Sequence, residues 1–391
     1  MTSRKHWLLP DGVDELLPER AKALEQLRRR LLDCCDGWGY RYVIPPLVEF
    51  TDSLLVGLGA DLDLVTCKFA DRLSGRTLGV RADMTPQAAR IDAHSLGETG
   101  VTRLCYAGST LHSAPETATS GRSPIQLGAE VYGSASSDAD LEVIGLMLTL
   151  IDRVGLAPHH KPVTLDVGHV GIYDAVMAAS SLDAETANAV FDALQRKSQP
   201  DLQHILRDSD GALVARLQGL MDLHGGSDTL ALARQKLADI PEAIEAIDQI
   251  DRVVSYVQAH HPEVSVYIDL TELRGFRYHT GLVFAAYVAG VGNAIAKGGR
   301  YDNVGSVFGR ERPATGFTCD LKALAEQCTT HSNPGGVISA PIVEDAALND
   351  AILALRAQGR VVVNALEGIA DPRCTEQLIK EGDHWVCQPL A

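Results

Sequence analysis

"TRLCYAGSTLHSAPETATSGRSPIQLGAEVYG" occupies residues 102–133 and holds two strand-like runs, 102–112 and 123–133. The segment between them is polar and short, and it is placed to close over a ligand. A connection this short joins two strands as an antiparallel pair, because parallel neighbours need a crossover of a dozen or more residues. The stretch therefore favours an antiparallel sheet rather than a parallel one.

The flanking sequence extends this sheet. Strand signals dominate residues 40–170 and 264–320, where several strands are separated by short turns instead of helices. Amphipathic helices are predicted from near Pro18 to the sequence DGWG (36–39) and from Ser137 to about Val154. The pair Pro45-Pro46 interrupts another strand-like run, and because proline donates no ladder hydrogen bond, it predicts a sheet edge, a bulge or a subunit contact.

The organisation of the chain predicts an α+β protein with a mixed, largely antiparallel sheet flanked by helices. Residues 1–330 form the main domain, and residues from about 182 to 262 read as a helical insertion because strand signals are nearly absent there. Residues 331–391 form a small C-terminal unit with one helix between short strands.

Composition excludes several classes of protein. The chain has 391 residues, 51 acidic against 35 basic, and a formal net charge of −16, which disfavours a general nucleic-acid binder. No apolar run reaches the roughly 20 residues of a membrane span, and there is no signal-peptide pattern. We expect a soluble, cytoplasmic protein that binds neither nucleic acid nor membrane.

The metal-ligating residue types show no metal-site spacing. None of the eight cysteines forms a Cys-x-x-Cys pair, so reduced, mostly buried thiols are predicted. The paired histidines, 159–160 and 260–261, are adjacent and would point to opposite faces of a strand. The glycine-rich stretch 290–309 lacks both the P-loop and the dinucleotide pattern. We therefore predict no metal and no cofactor, and no catalytic residue can be named.

Four polar residues point to a ligand pocket. Gln126 and Glu130 share one face of a strand because their spacing is even, and Asp83 and Thr85 begin a helix. Two carboxylates and an amide that converge would suit an ammonium group or another cationic ligand. The alternative is a helix-capping Asp83 and an exposed Glu130. For Arg300, a structural pair with Asp302 and a ligand role are both open.

The stretch "ELRGFRYHTGLVFAAY" (272–287) begins with polar and aromatic residues and ends as a buried strand. Its first half is typical of a pocket wall. Taken with "VRADMTPQAAR" (80–90), "QLGAEVYG" (126–133) and "AKGGRYDNVGSVFG" (296–309), it resembles the histidine-binding segments of histidyl-tRNA synthetase, a class II aminoacyl-tRNA synthetase, in the same order. The resemblance covers about residues 5–325 and implies the fold of that class.

The chain departs from the synthetase pattern where that family holds ATP. An arginine and a glutamate of the second class motif fall on His112 and Ala114, and an arginine of the third motif falls on Ala323. Asp320 replaces a glycine there. Because arginine matches phosphate oxygens with a fixed, charged fork, the losses predict weak or absent activation of the amino acid. The tail is also too short for an anticodon-binding domain.

A synthetase-like core with these losses looks like the ATP phosphoribosyltransferase regulatory subunits (the HisZ family). The resemblance implies a non-catalytic subunit required for the first step of histidine biosynthesis, which conveys feedback regulation by histidine. It also implies a class II-like dimer and assembly with the short-form catalytic subunit, expected as a hetero-octamer. The alternative is an active histidine-adenylating enzyme, either a truncated synthetase or one that uses another acceptor.

The resemblance also implies roles for the pocket residues. Asp83 and Glu130 would hold the ammonium and imidazole groups of histidine, with help from Thr85 and Gln126. The remaining members of the site would be Arg274 facing the carboxylate, Tyr278 as a wall, and His279, which stands where the synthetase pattern usually has a tyrosine.

Overall fold

The computed structural model describes residues 8–55, 59–115, 121–157, 160, 162–180, 182–271, 278–305, 308–328 and 336–390. Contacts divide the chain into two compact units, Met1–Thr329 and Thr330–Ala391, and each has a hydrophobic core of its own. None of the described helices combines the length and apolarity needed to cross a bilayer. All eight cysteines are free thiols.

The larger unit is built on a nine-stranded sheet. Its strands are β1 (Arg41–Tyr42), β5 (Thr102–Ser109), β6 (Ile125–Tyr132), β7 (Thr164–His169), β8 (His224–Gly225), β9 (Ser265–Asp269), β10 (Leu282–Tyr287), β11 (Ala296–Arg300) and β12 (Ala314–Asp320). They lie in the order β1-β5-β6-β12-β11-β10-β7-β9-β8. Every neighbouring pair is antiparallel except β1–β5 and β7–β9. The predicted mixed, largely antiparallel sheet is confirmed, and the two runs of residues 102–133 form its pair β5–β6.

Helices cover the sheet and close the main core. They are α1 (Pro18–Gly37), α5 (Ser137–Val154), α6 (Val170–Ala178), α7 (Ala184–Gln195), α8 (Gln199–Ile205), α9 (Gly211–Met221), α10 (Asp228–Lys236), α11 (Pro241–His260) and α12 (Leu321–Gln327). Helix α5 has the predicted bounds because Ser136 caps its N-terminus and Gly155, at φ +74°, ends it in the left-handed conformation. Helices α7 to α11 and the short strand β8 account for the predicted helix-rich stretch.

A second sheet of three antiparallel strands precedes the pocket. It consists of β2 (Val48–Phe50), β3 (Cys67–Ala70) and β4 (Thr77–Val80) in the order β2-β4-β3, with the helices α2 (Thr51–Leu54) and α3 (Gly59–Val65). Pro45-Pro46 separates β1 from β2, which are edge strands of the two sheets, as predicted. Helix α4 (Thr85–Arg90) follows β4 and continues as a π-helical turn, Ile91–Leu96.

The smaller unit has its own four-stranded sheet. Strands β13 (Val337–Ala340), β14 (Val361–Asn364), β15 (Cys374–Glu381) and β16 (His384–Pro389) lie in the order β14-β13-β15-β16. Strand β13 is parallel to β14 and β15, and β16 is antiparallel to β15. Helix α13 (Ala346–Ala357) buries Leu348 and Ile352 in the core of this unit.

Candidate functional site

The first half of the pocket joins a loop to the sheet. Asp83 lies between β4 and α4, and its Oδ1 accepts hydrogen bonds from Gln126 Nε2 at 2.7 Å and from the Thr85 amide at 2.9 Å. Gln126, in β6, also accepts from the Met84 amide through Oε1 at 2.8 Å. The Gln126 side chain therefore ties the segment that carries Asp83 to the sheet at two points.

The second half is a buried carboxyl group held by tyrosines. Glu130 is only 1% exposed. The Tyr106 hydroxyl donates to Glu130 Oε1 at 2.7 Å, and the Tyr301 hydroxyl donates to Oε2. Thr85 Oγ1 lies 2.8 Å from the Tyr106 hydroxyl, so a chain of hydrogen bonds runs from the start of α4 to Glu130.

Burial governs the protonation of this carboxyl group. Burial is the main reason that the pKa of Glu130 is raised to about 8; the charge of Asp83 adds to the rise, whereas the hydrogen bonds from Tyr301 and Tyr106 oppose it. Among the described residues, no basic side chain pairs with Asp83 or Glu130. At neutral pH Glu130 is therefore largely protonated, and a cationic ligand would supply the missing partner.

Two glycines make room for this arrangement. Gly316 pairs with Glu130 in the ladder between β12 and β6, and a Cβ there would overlap Glu130 Oε2. Gly128 lies opposite Tyr106, and a Cβ there would overlap the phenol ring. The strands approach the carboxyl group closely only because both positions lack a side chain.

Aromatic rings form another wall. The rings of Tyr278 and Tyr301 stack with centroids 5.0 Å apart and an interplanar angle of 22°. The buried Tyr278 hydroxyl has no hydrogen-bond partner among the described residues. The His279 ring lies edge-on to Tyr278, with centroids 5.5 Å apart, and fills the space above Gly299. Arg274 lies outside the described residues.

Five of the seven predicted site residues thus lie at the two carboxyl groups or beside them: Asp83, Thr85, Gln126, Glu130 and Tyr278. A sixth, His279, adjoins Tyr278. The alternative of an exposed Glu130 is wrong, because the side chain is buried under the two tyrosines. Asp83 accepts from the Thr85 amide at the start of α4, where Met84 is the N-cap residue, and the Thr85 hydroxyl faces Tyr106.

The residues predicted to stand where the synthetase pattern holds ATP have internal partners. His112 Nε2 donates to the Ala82 carbonyl at 3.0 Å, immediately before Asp83. Asp320 caps α12, and its Oδ1 accepts from the amides of Ile125 at 3.1 Å and Lys322 at 3.0 Å. Ala323 lies within α12 and offers no charge.

Arg300 belongs to the framework of the fold. Its guanidinium pairs with buried Asp140 at 2.9 Å and with Asp302 at 3.1 Å, and it donates to the carbonyls of Ser134 and Ser136 at 3.1 Å. The structural interpretation of the pair with Asp302 is therefore the right one. No group of three histidine, cysteine, aspartate or glutamate side chains within the described ranges is placed to hold a metal ion.

Comparisons with known proteins identify the family of the chain. The family model for histidyl-tRNA synthetase matches residues 12–324, and the model for the ATP phosphoribosyltransferase subunit HisZ C-terminal domain matches residues 335–388. An ATP phosphoribosyltransferase regulatory subunit of Marinobacter nauticus is 48% identical over the full length of both chains. The chain belongs to the family of ATP phosphoribosyltransferase regulatory subunits.

Solved structures have the same fold. A protein from Bacillus halodurans titled as an ATP phosphoribosyltransferase regulatory subunit/histidyl-tRNA synthetase superimposes with a TM-score of 0.81 and 27% identity, covering 95% of this chain and 96% of that one. A chain of the ATP phosphoribosyl transferase (HisG:HisZ) complex from Thermotoga maritima, 19% identical, gives a TM-score of 0.57 over 76% of this chain and 97% of that one. The predicted class II synthetase-like fold is confirmed.

Family membership also decides between the two predicted functions. The full-length relatives are named as regulatory subunits, which confirms the prediction of a regulatory subunit and does not favour the adenylating alternative.

Sequence reasoning missed the two tyrosines that hold Glu130. Tyr106 and Tyr301 stood in strand-like or glycine-rich stretches without a pattern of their own. The available signal was the glycines: a glycine inside a strand often marks the close approach of another group, and Gly128 and Gly316 mark these contacts.

Proposed function

We propose that this chain is the histidine-sensing regulatory subunit of ATP phosphoribosyltransferase, required for the first step of histidine biosynthesis and for feedback by histidine. The observation that carries the proposal is the buried Glu130, held by two tyrosine hydroxyls beside Asp83 without a cationic partner among the described residues. A site of this kind is suited to a small ligand that brings its own positive charge.

Each side chain has a proposed role in this site. Asp83 and Glu130 take the ammonium and imidazole groups, and Gln126 and Thr85 fix the two carboxyl groups in place. Tyr278 lines the pocket, and its hydroxyl, which is without a hydrogen-bond partner in the described part of the chain, is offered to the ligand. Arg274 and His279 complete the proposed site: Arg274 takes the ligand carboxylate, and His279 supports the wall.

The same pocket is proposed to bind histidine without activating it. His112 uses its ring to hold a backbone carbonyl, and Asp320, the N-cap of α12, brings a carboxyl group to a position where the synthetase pattern has a glycine. The side chains of Ala114 and Ala323 supply neither a positive charge nor a hydrogen-bond donor. Adenylation would need positive charge at these positions to stabilise the transition state.

The proposed partner is the short-form catalytic subunit, in a hetero-octamer that works in the cytoplasm. The name shared by the curated relatives supports such a partner, as does the complex in which the Thermotoga maritima neighbour was solved. Histidine would regulate this assembly by binding two of its states with different affinity, because only differential binding shifts an equilibrium. We propose that residues 1–330 carry the histidine site and that residues 331–391 form a small domain in place of an anticodon-binding one.

A second copy of the chain is the proposed occupant of an apolar face beside the sheet edge β1. The exposed side chains there are Tyr42, Ile44 and Leu47, all between 43% and 77% accessible. Such a cluster is larger than isolated surface residues require and is typical of an interface. Light scattering should give a dimer for the wild type, and Ile44→Glu should shift the mass toward the monomer.

Reconstitution tests the function directly. The chain is mixed with a short-form catalytic subunit, and the turnover of that subunit is measured with and without histidine. We expect the chain to change the turnover and histidine to inhibit the mixture. If turnover were the same with and without the chain, the regulatory role would be refuted.

Calorimetry on the isolated chain tests the pocket. Glu130→Ala should weaken histidine binding at least tenfold, since the loss of a charge-assisted contact costs about 1.5–3 kcal/mol. Glu19→Gln, at an exposed position in α1, serves as the control and should bind as the wild type does. Equal affinity of the wild type and Glu130→Ala would disprove the assignment.

A further inference from the structure

The N-terminal segment, residues 8–17, is hydrogen-bonded to the connection between β5 and β6 and is called the strap below. The Arg122 amide donates to the Gly12 carbonyl at 2.6 Å, and Arg122 Nη1 donates to the Asp11 carbonyl at 3.2 Å. Asp14 accepts from Lys322 Nζ at 2.7 Å and from Ser123 Oγ at 3.2 Å. Four hydrogen bonds thus fasten the strap to the hairpin and to helix α12.

The same hairpin residue reaches toward the pocket. Arg122 Nε donates to the His112 carbonyl at 3.0 Å, and the His112 amide donates to the Arg122 carbonyl at 2.8 Å. The His112 ring then holds the Ala82 carbonyl, one residue before Asp83. A continuous series of short contacts therefore connects the strap with the backbone that presents the Asp83 carboxylate.

The segment that receives this contact is also held at its two ends: the Arg81 amide donates to the Leu47 carbonyl, and the Met84 amide donates to Gln126 Oε1. Residues 81–84 lie between the end of β4 and the start of α4 and belong to neither element. Gln126 fixes the Asp83 side chain from the sheet, and His112 holds the backbone carbonyl of Ala82. The position of a ligand-binding carboxylate depends on both, because affinity requires that the group be held in place before the ligand arrives.

We propose that Arg122 and His112 are positioning residues through which the strap sets the geometry of Asp83, and with it the affinity for the pocket's ligand. The inference rests on the proposed histidine site. A His112 that only fills space would predict a different outcome, in which changes to the strap leave ligand affinity unaltered.

One substitution in the strap tests this series of contacts without changing a residue of the proposed site. Gly12 has φ +74°, and a Cβ there would lie 2.9 Å from Arg122 Cγ, so Gly12→Val both strains the strap and pushes it off Arg122. Gly155 has the same φ with nothing within 4 Å of the corresponding Cβ, so Gly155→Val is a matched control for backbone strain. We expect Gly12→Val to weaken histidine binding about fivefold to tenfold in calorimetry. Gly155→Val should bind as the wild type does.

Variants of Arg122 and His112 provide a second test. Arg122→Ala and His112→Ala should each weaken binding by a similar factor, and the double variant should be no weaker than the singles because the two residues act in series. His112→Gln should restore much of the affinity, since its amide is able to donate to the Ala82 carbonyl. Melting temperatures of all variants separate the loss of affinity from a loss of stability.

Hydrogen exchange provides a readout that needs no ligand. Amides of residues 82–90 should exchange faster in Gly12→Val than in the wild type or in Gly155→Val. If the wild type does not bind histidine, the proposed function fails while the exchange result still decides whether the strap acts on Asp83. Unchanged exchange in residues 82–90, or wild-type affinity in Gly12→Val, would overturn the inference.

Discussion

The protonation of Glu130 makes the stability of this protein depend on pH in a way that one substitution removes. The native pKa is about 8, whereas the ordinary value is 4.5. Between these values the native state keeps a proton that the unfolded chain has lost, so the free energy of unfolding falls as the pH rises. Glu130→Gln has no such proton, and its amide is still able to bond with the Tyr106 and Tyr301 hydroxyls.

The size of the effect follows from the shift. One proton held by the native state alone changes stability by about 1.4 kcal/mol per pH unit. From pH 5 to pH 8 the wild type should therefore lose about 3–4 kcal/mol relative to Glu130→Gln. Contributions from every other titrating group are common to both proteins and cancel in the difference.

Urea unfolding of both proteins at several pH values between 5 and 8 measures this difference. Glu19→Gln, exposed in the first turn of α1, should keep a constant difference from the wild type over the same range. If the wild type and Glu130→Gln showed parallel pH profiles, Glu130 would ionise like an exposed carboxyl group and the reasoning from burial would be refuted.

Four further outcomes are expected. Histidine binding at pH 7 should release protons, since a bound cation favours the carboxylate of Glu130, and calorimetric heats should then differ between phosphate and Tris; equal heats would contradict it. Gly316→Ala should abolish histidine binding because its methyl group overlaps Glu130 Oε2, and full affinity by calorimetry would count against the packing described. Arg300→Ala should destabilise the protein by about 3–5 kcal/mol in urea by leaving Asp140 buried and unpaired; a loss below 1 kcal/mol would disagree. Burial lowers the pKa of His169 to about 4, so the free energy of unfolding decreases as the pH falls from 6.5 toward 4. His169→Asn should make this decrease smaller while still capping α6. An equally steep decrease in urea unfolding of the variant would exclude His169 as its cause.

Local sequence patterns were sufficient to predict the helices and strands that carry the site. The bounds of helix α5 could be predicted closely because its caps and apolar spacing lie within the stretch itself. The strands β5 and β6 and the shared face of Gln126 and Glu130 follow from alternation along one strand. The family could be recognised because four such stretches occur in one order.

Contacts between residues that are far apart in the sequence could not be predicted from local patterns. Tyr301 lies 171 residues from Glu130, and Asp140 lies 160 residues from Arg300, so no spacing rule connects them. The alternatives for Glu130 and Arg300 could be decided only when the strands were placed side by side.

By itself, the sequence determined the secondary structure, the largely antiparallel sheet and the residue types of the pocket, because periodicity and capping are properties of neighbouring residues. Only the tertiary structure decided which groups surround the carboxyl groups. It buried Glu130 under two hydroxyls, turned His112 toward the Ala82 carbonyl, and joined Asp14 to Lys322 across 308 positions. Protonation and ligand binding depend on these neighbours, because electrostatic energy is set by distance in space and by burial rather than by separation along the chain.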